Sequence, residues 1–451
     1  MDQRPRKNLF KKSISFLHDR LWGRFLLGLI IAVFVVLVKK VAIEHQSWYG
    51  SVRLASYELT QSVLSRHHRG SGPVTIINIA SIPRQHDESV TDQKYGAVSR
   101  EALKSALKII TSAHPKSIGI DVDFSPEKSG NPVTEKDSDF FKDCRTISAA
   151  SGVPIYLGVY RNAAKTEPDW LGSEENSVLA AGLQIGNKDF QGDAFRIERP
   201  LDRVIRMFCW TKVEEQATGI PTLAFALAKA AKPEIGKPSA LFSWLLEARS
   251  EFAELPYLET QGFLVDYHLI DSLQQTVVDY ENLSNASLEP FAGKVVILGN
   301  VKQNIPADAV NDAFRVPGRE GKYSGVLLHA CAVDTLLESP LMEWTENGGI
   351  FADLLVAFFA IGAAEVISAI FHRRKGKESR DSRISWWAVV VMCFALSLIS
   401  SIFVGWLRLM WDDVAFVALG LIIHTWLEQS MIKQLPHHGK VHEGSKELSP
   451  L

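Results

Sequence analysis

Apolar positions in this chain follow two regimes. Four stretches, 21–43, 350–371, 384–404 and 411–429, are apolar almost without a break. The block between the first and second, 44–345, instead mixes apolar and polar residues at strand and helix spacing. A bilayer core about 30 Å thick needs roughly 20 largely apolar residues in a helix, so each stretch reads as a transmembrane helix. The first runs uninterrupted from Phe25 to Val38 and reaches Ile43 if Lys39 and Lys40 snorkel to the interface. A cleaved signal peptide competes with that reading, but the long basic lead and the lack of a clean small-residue cleavage site favour a retained anchor. Trp386, Trp387, Trp406, Trp411 and Trp426 stand near span ends, where their rings settle at headgroup depth. The turn 405–413 is short, so the third and fourth helices form an antiparallel hairpin. Ahead of the first span, Leu9, Phe10, Ile14, Phe16, Leu17 and Leu21 alternate with basic residues. That pattern suits a helix lying on the inner leaflet and equally a solvated basic segment.

The 44–345 block has the grammar of an α/β domain. Val52 to His67 carries apolar residues at helical spacing, and Val74–Ala80 (VTIINIA) is a β-branched run that reads as a buried strand. Ser99 is placed to cap a helix over Arg100–Ala113, which Pro115 follows. Lys116–Phe124 (KSIGIDVDF) is the next strand. Strand, helix and strand with a crossover of this length make a parallel βαβ unit. The order continues with a helix near 137–151, a strand at Pro154–Tyr160 and a helix at Thr222–Ala231. Strands at Phe263–Tyr267 and Lys294–Gly299 and a helix at Val326–Glu338 follow, while short β-rich pieces at 182–210 predict an antiparallel addition. The expected fold is α/β with a mostly parallel central sheet, beside four transmembrane α-helices.

Charge decides the side of the membrane. Arg4, Arg6, Lys7, Lys11, Lys12, Arg20 and Arg24 crowd the head, and Arg373, Arg374, Lys375, Lys377, Arg380 and Arg383 crowd the loop 372–383. Lys and Arg close to span ends mark the cytoplasmic side. The segment 1–20, the loop 372–383 and the tail 430–451 are therefore expected inside, and the 44–345 domain outside, on a multi-pass inner-membrane protein. The formal net charge of −2 offers no global field for nucleic acid. Cys144, Cys209 and Cys331 fall in the outer block and Cys393 in the third span, in no zinc-binding spacing. Buried free thiols are the default for them, with a Cys144–Cys209 disulfide as the alternative.

Taken in order, VTIINIAS, Arg100 before a helix, GIDVDFS at 119–125, GLQIGNKDFQGDAFRIERPL at 182–201, PTLAFALAKAA at 221–231, GKVVILGN at 293–300 and VLLHACAVDTLLESPL at 326–341 resemble the CHASE2 family. The resemblance covers about residues 48–345. It implies an extracytoplasmic sensory domain of a bacterial membrane receptor, commonly followed by three spans, with the ligand usually undefined. Two departures matter. The family often ends its first strand on acidic residues, where Asn78 and Ala80 stand here. Family receptors also usually carry a cytoplasmic cyclase or kinase, whereas the tail after the fourth span is short. The expectation is a receptor without its own enzyme that acts on a separate cytoplasmic effector.

Candidate chemistry is sparse. Asp121 and Asp123 are two apart on an expected strand, at its carboxyl end, where open α/β sheets bind ligands. With Arg100 they form either a polar pocket or a set of charges paired among themselves and with helix-terminal amides. The loop 300–319, with Gln303, Asn304, Asp308 and Asp312, follows another strand end on the same side. His329 is expected to be a core histidine. Glu365 sits inside the second span, where a carboxylate invites a coupling role unless it reaches Arg373 or His372 near the cytoplasmic end. Phosphate-loop, dinucleotide, nucleophile-elbow and zincin motifs do not occur, so no enzyme activity and no cofactor are expected. The expected partners are the lipid bilayer, a small solute or periplasmic protein outside, and an effector inside. Dimerisation is expected by analogy with membrane receptors. The competing readings are a degenerate sensor serving as a membrane scaffold and, on Glu365 alone, a transporter.

Overall fold

A computed structural model of the chain describes residues 72–85, 97–124, 135–159, 179–182, 220–235, 262–285, 287–302, 313–338 and 348–355. It also describes short pieces at 57–58, 206–208, 210–211, 246–247 and 343–344, and scattered helical residues between 26 and 38 and between 391 and 399. The chain divides into two compact units. One comprises Met1–Gln46, Gly348–Ser400 and Asp412–Leu451, and the other Ser47–Asn347 with Ser401–Trp411. The α/β elements all lie in the second. Among the described residues no helix is long and apolar enough to cross a membrane, and the four expected spans lie largely or wholly outside those residues.

Six strands form one sheet: β1 (Val74–Asn78), β2 (Ser117–Asp121), β3 (Ile155–Val159), β4 (Leu179–Gly182), β5 (Val277–Asp279) and β6 (Val295–Gly299). Their order is β5-β1-β6-β2-β3-β4, and every neighbouring pair is parallel. All five residues of β6 are buried, which explains its unbroken apolar run: a central parallel strand is covered on both faces.

Helices supply those covers. α1 (Arg100–Thr111) and α2 (Glu135–Ser151) pack on one face, and α3 (Leu223–Ala231), α4 (Ile270–Gln275) and α5 (Gly325–Glu338) on the other. Strand alternation sorts the core accordingly. Ile77, Ile118, Ile120, Val296 and Leu298 join the α1–α2 side, while Val74, Ile76, Val295 and Ile297 join the side of α3, α4 and α5. α1 buries Leu103, Ala106, Leu107 and Ile110, the i, i+3, i+4, i+7 stripe of an amphipathic helix. Ser99 caps it as expected, its side chain accepting from Ala102 N–H at 3.3 Å. α5 differs: Gly325 to Leu336 are all buried, so it is enclosed all round.

The strand expected over Phe263–Tyr267 is shorter and stands apart from the six-stranded sheet. Gly262–Leu264 pairs antiparallel with Arg206–Phe208, and Asp266 then caps a 3₁₀ turn, Tyr267–Leu269, leading into α4. The edge position falls to β5, only three residues long and half-exposed over its two valines. In the 182–210 region, Arg206–Phe208 is antiparallel as expected, but Leu179–Gly182 just before it is the parallel outer strand β4.

Candidate functional site

Loops leaving the carboxyl ends of an open parallel sheet converge on one edge. Here β5, β1, β6 and β2 end on Asp279, Asn78, Gly299 and Asp121, which stand side by side in the sheet register. Asn78 is the hub of that edge. Its Nδ2 donates to Asp279 Oδ1 at 2.9 Å, and its Oδ1 accepts from Ala80 N–H and Val301 N–H at 3.1 Å each. One amide therefore fixes the loops leaving β1 and β6 and orients the exposed Asp279 carboxylate. A carboxylate at position 78 would lack the donor that Asp279 uses.

Gly299 makes room beside the hub. A Cβ built there would lie 2.5 Å from Val326 Cγ2, 2.7 Å from Val326 Cβ and 3.1 Å from Asp121 Cβ. The amino end of α5 thus sits directly on the end of β6, next to Asp121.

Asp121 is half-buried and shares its strand face with Ser117 and Gly119. That face looks toward α3: Ser117 Oγ donates to Leu227 O at 3.1 Å, and a Cβ at Gly119 would meet Leu227 Cδ1 at 2.6 Å. The strand ends at Asp121, so period-two alternation does not extend to Asp123, which is exposed past the bend at Val122.

Arg100 opens α1, on the other side of the sheet. Its guanidinium carbon lies 4.6 Å from the centre of the Phe124 ring and 6.0 Å from that of Phe140, and its Nη1 donates to Val98 O at 3.2 Å. The two rings stack at 5.6 Å, giving the cation an aromatic seat. Arg100 and Asp121 accordingly frame the same edge from opposite faces. Asn304, Asp308 and Glu365 lie outside the described residues.

Beneath Arg100, Cys144 is a buried free thiol, so it forms no disulfide with Cys209. Burial pushes it up to about 12, with Asp143 adding to the shift and Arg100 opposing it. Such a thiol is protonated at neutral pH and not a nucleophile.

A second polar group lies toward the amino end of the sheet. Thr335 is nine residues along α5 from Val326, about 13 Å at 1.5 Å per residue, and the neighbouring Asp334 carboxylate touches the space above Gly72, just before β1. Buried Asp266 meets His268 Nδ1 through its Oδ1. The Asp266 N–H donates to Thr335 Oγ1 at 2.9 Å, and the Thr335 hydroxyl donates to Cys331 O at 2.6 Å. Arg319 Nη1 bonds Asp271 Oδ1 at 2.6 Å and Nη2 donates to His268 O at 3.1 Å. Burial holds the Cys331 thiol and the Tyr267 phenol well above their usual ranges. His329 is fully buried on α5, as a core histidine would be.

The sequence signalled neither Asn78 nor the Asp266–His268 pair as functional, although a lone charged residue inside the apolar run GFLVDY is a readable sign. Among the described residues, no three of His, Cys, Asp and Glu gather in a way that could hold a metal ion. The carboxyl edge carries the carboxylates of Asp279, Asp121 and Asp123, with the Arg100 cation at its flank. Chemically it suits recognition of a polar or cationic solute.

The family model of the CHASE2 domain matches residues 29–364, well over half of the chain. No curated protein and no solved structure matches it.

Proposed function

The chain belongs to the CHASE2 domain family, whose domains are extracytoplasmic sensors, and on that premise we propose a membrane-anchored receptor that binds a polar solute at the carboxyl edge of its sheet. The receptor relays the bound state through transmembrane helices to a cytoplasmic effector. The observation that carries the anchoring is where large apolar side chains stand exposed. Leu26, Ile30, Val33, Phe34, Leu37, Phe351, Leu355, Val391 and Ile399 are all more than a third exposed, and all fall within the sequence's apolar stretches. Among the described residues only Leu288 is comparably exposed within the α/β domain. Residues 26, 30, 33, 34 and 37 form one row on a helix, a surface that water disfavours and lipid accepts.

Connectivity supports the relay. The domain lies between the first and second spans, so any shift in its shape is felt at both. A ligand biases that shape only by binding one conformation better than another. The cytoplasmic segments 1–20, 372–383 and 430–451 are the surfaces an effector would read, and Glu365 is the ionisable residue placed to feel movement of the second span.

Impermeant maleimide labelling of single cysteines tests the orientation. In a background lacking Cys209 and Cys393, Glu281→Cys should react in intact spheroplasts, and Ser379→Cys only after permeabilisation. The reverse pattern would put the domain inside and end the receptor reading.

A further inference from the structure

We propose that Tyr57, Val265–Asp266 and Thr335 form a polar tie that locks together the two segments through which the chain enters and leaves the α/β domain. Tyr57 lies on the segment that follows the first apolar stretch, and α5 precedes the second. These segments are more than 200 residues apart in sequence, yet one short piece of chain holds both. The Tyr57 hydroxyl donates to Val265 O. The very next residue, Asp266, gives its N–H to Thr335 Oγ1 at 2.9 Å.

A second strand of the tie runs in parallel. Gly318 N–H donates to Glu58 Oε1 at 3.0 Å, and the adjacent Arg319 grips His268 O at 3.1 Å and the Asp271 carboxylate. Both strands start on the helical pair Tyr57–Glu58 and end on the 265–271 segment or on α5. Tyr57, Val265, Asp266 and Thr335 are each about 1% exposed or less. Buried hydrogen bonds of this kind do not exchange with water, and a broken one leaves a costly orphan. Movement of one end is therefore coupled to movement of the other.

This inference rests on the receptor reading for its meaning, because it makes the device one that drives both spans together. Its test does not depend on which side of the membrane the domain occupies, so the two can fail separately. Amide hydrogen exchange on the full chain in lipid discs provides the readout. Tyr57→Phe removes one hydroxyl and no packing. It should speed exchange at the Asp266 amide and over 335–338 by about fivefold, the equivalent of one net hydrogen bond of about 1 kcal/mol. Thr335→Val should do the same at the Gly318 amide, across the network. Thr75→Val removes a hydroxyl that bonds Pro290 O at 2.7 Å outside the tie, and should leave both reporters within about twofold of the parent. Exchange in Tyr57→Phe that rises only beside residue 57, or rises equally over β6, would show local loosening or general destabilisation instead and would overturn the tie.

Discussion

Gly299→Ala is expected to destabilise the domain by about 3 kcal/mol, the upper end of what overpacking costs in a well-packed interior. The added methyl would lie 2.5 Å from Val326 Cγ2 and 2.7 Å from Val326 Cβ. Both distances are far inside contact. Val326 is β-branched and fully buried near the start of α5, so it has no alternative rotamer into open space. The remaining response is to push α5 off β6, which disturbs the larger of the two core faces. It would also crowd Asp121, whose Cβ is 3.1 Å from the new methyl. Urea unfolding of the full chain should show a lower midpoint with the slope unchanged. Adding Val326→Ala removes Cγ2 but leaves the Cβ contact, so the double variant should recover only part of the loss. A Gly299→Ala protein as stable as its parent would mean that α5 does not sit on the strand end.

His268→Leu should cost a similar amount, about 3 kcal/mol, by another route. Asp266 is 1% exposed, and His268 Nδ1 is its side-chain partner at Oδ1. Leucine fills the space but donates nothing, which leaves a buried carboxyl group short of a partner. The loss should spread, because Asp266 is also the residue whose N–H holds Thr335. His268→Asn places an amide donor near the former Nδ1 and should regain more than half of the loss. If leucine and asparagine are equally damaging, the imidazole matters for its shape and not for the bond.

What a sequence reveals of each element depends on what sets that element. β1, β2 and β6 were legible because burial on both faces demands an unbroken apolar run, and α1 because its Leu103–Ile110 stripe matches the helical period. β5 was not, since three residues at a sheet edge, two half-exposed and one exposed, carry little pattern. The 263–267 run was legible as a strand, but its partner, Arg206–Phe208, was not. Apolar alternation says that a strand is buried, not which neighbour it pairs with.

The site divides in the same way. Asp121 stands at the strand end where the sequence put it, because a strand's carboxyl end is readable, whereas Asp123 lies past that strand because pairing stops two residues sooner. The aromatic seat of Arg100 is built from Phe124 and Phe140, which sequence spacing does not connect to it. Asn78 stood in the sequence as a missing acid. In the fold it is the clamp that joins three strand ends, a role that depends on partners at 279 and 301.

The most direct test of a solute-binding receptor is thermal unfolding of the full chain in lipid discs against polar solutes, organic cations and divalent ions. Binding to the folded state alone raises stability by about 2.7 kcal/mol at a hundredfold excess over Kd. The account predicts that one chemical class lifts the midpoint in a saturable way. It also predicts that Asp121→Ala and Arg100→Ala remove that lift while the protein still unfolds cooperatively. A well-folded chain whose midpoint no solute moves, or a lift that survives both substitutions, would contradict a sensor site at the carboxyl edge of the sheet.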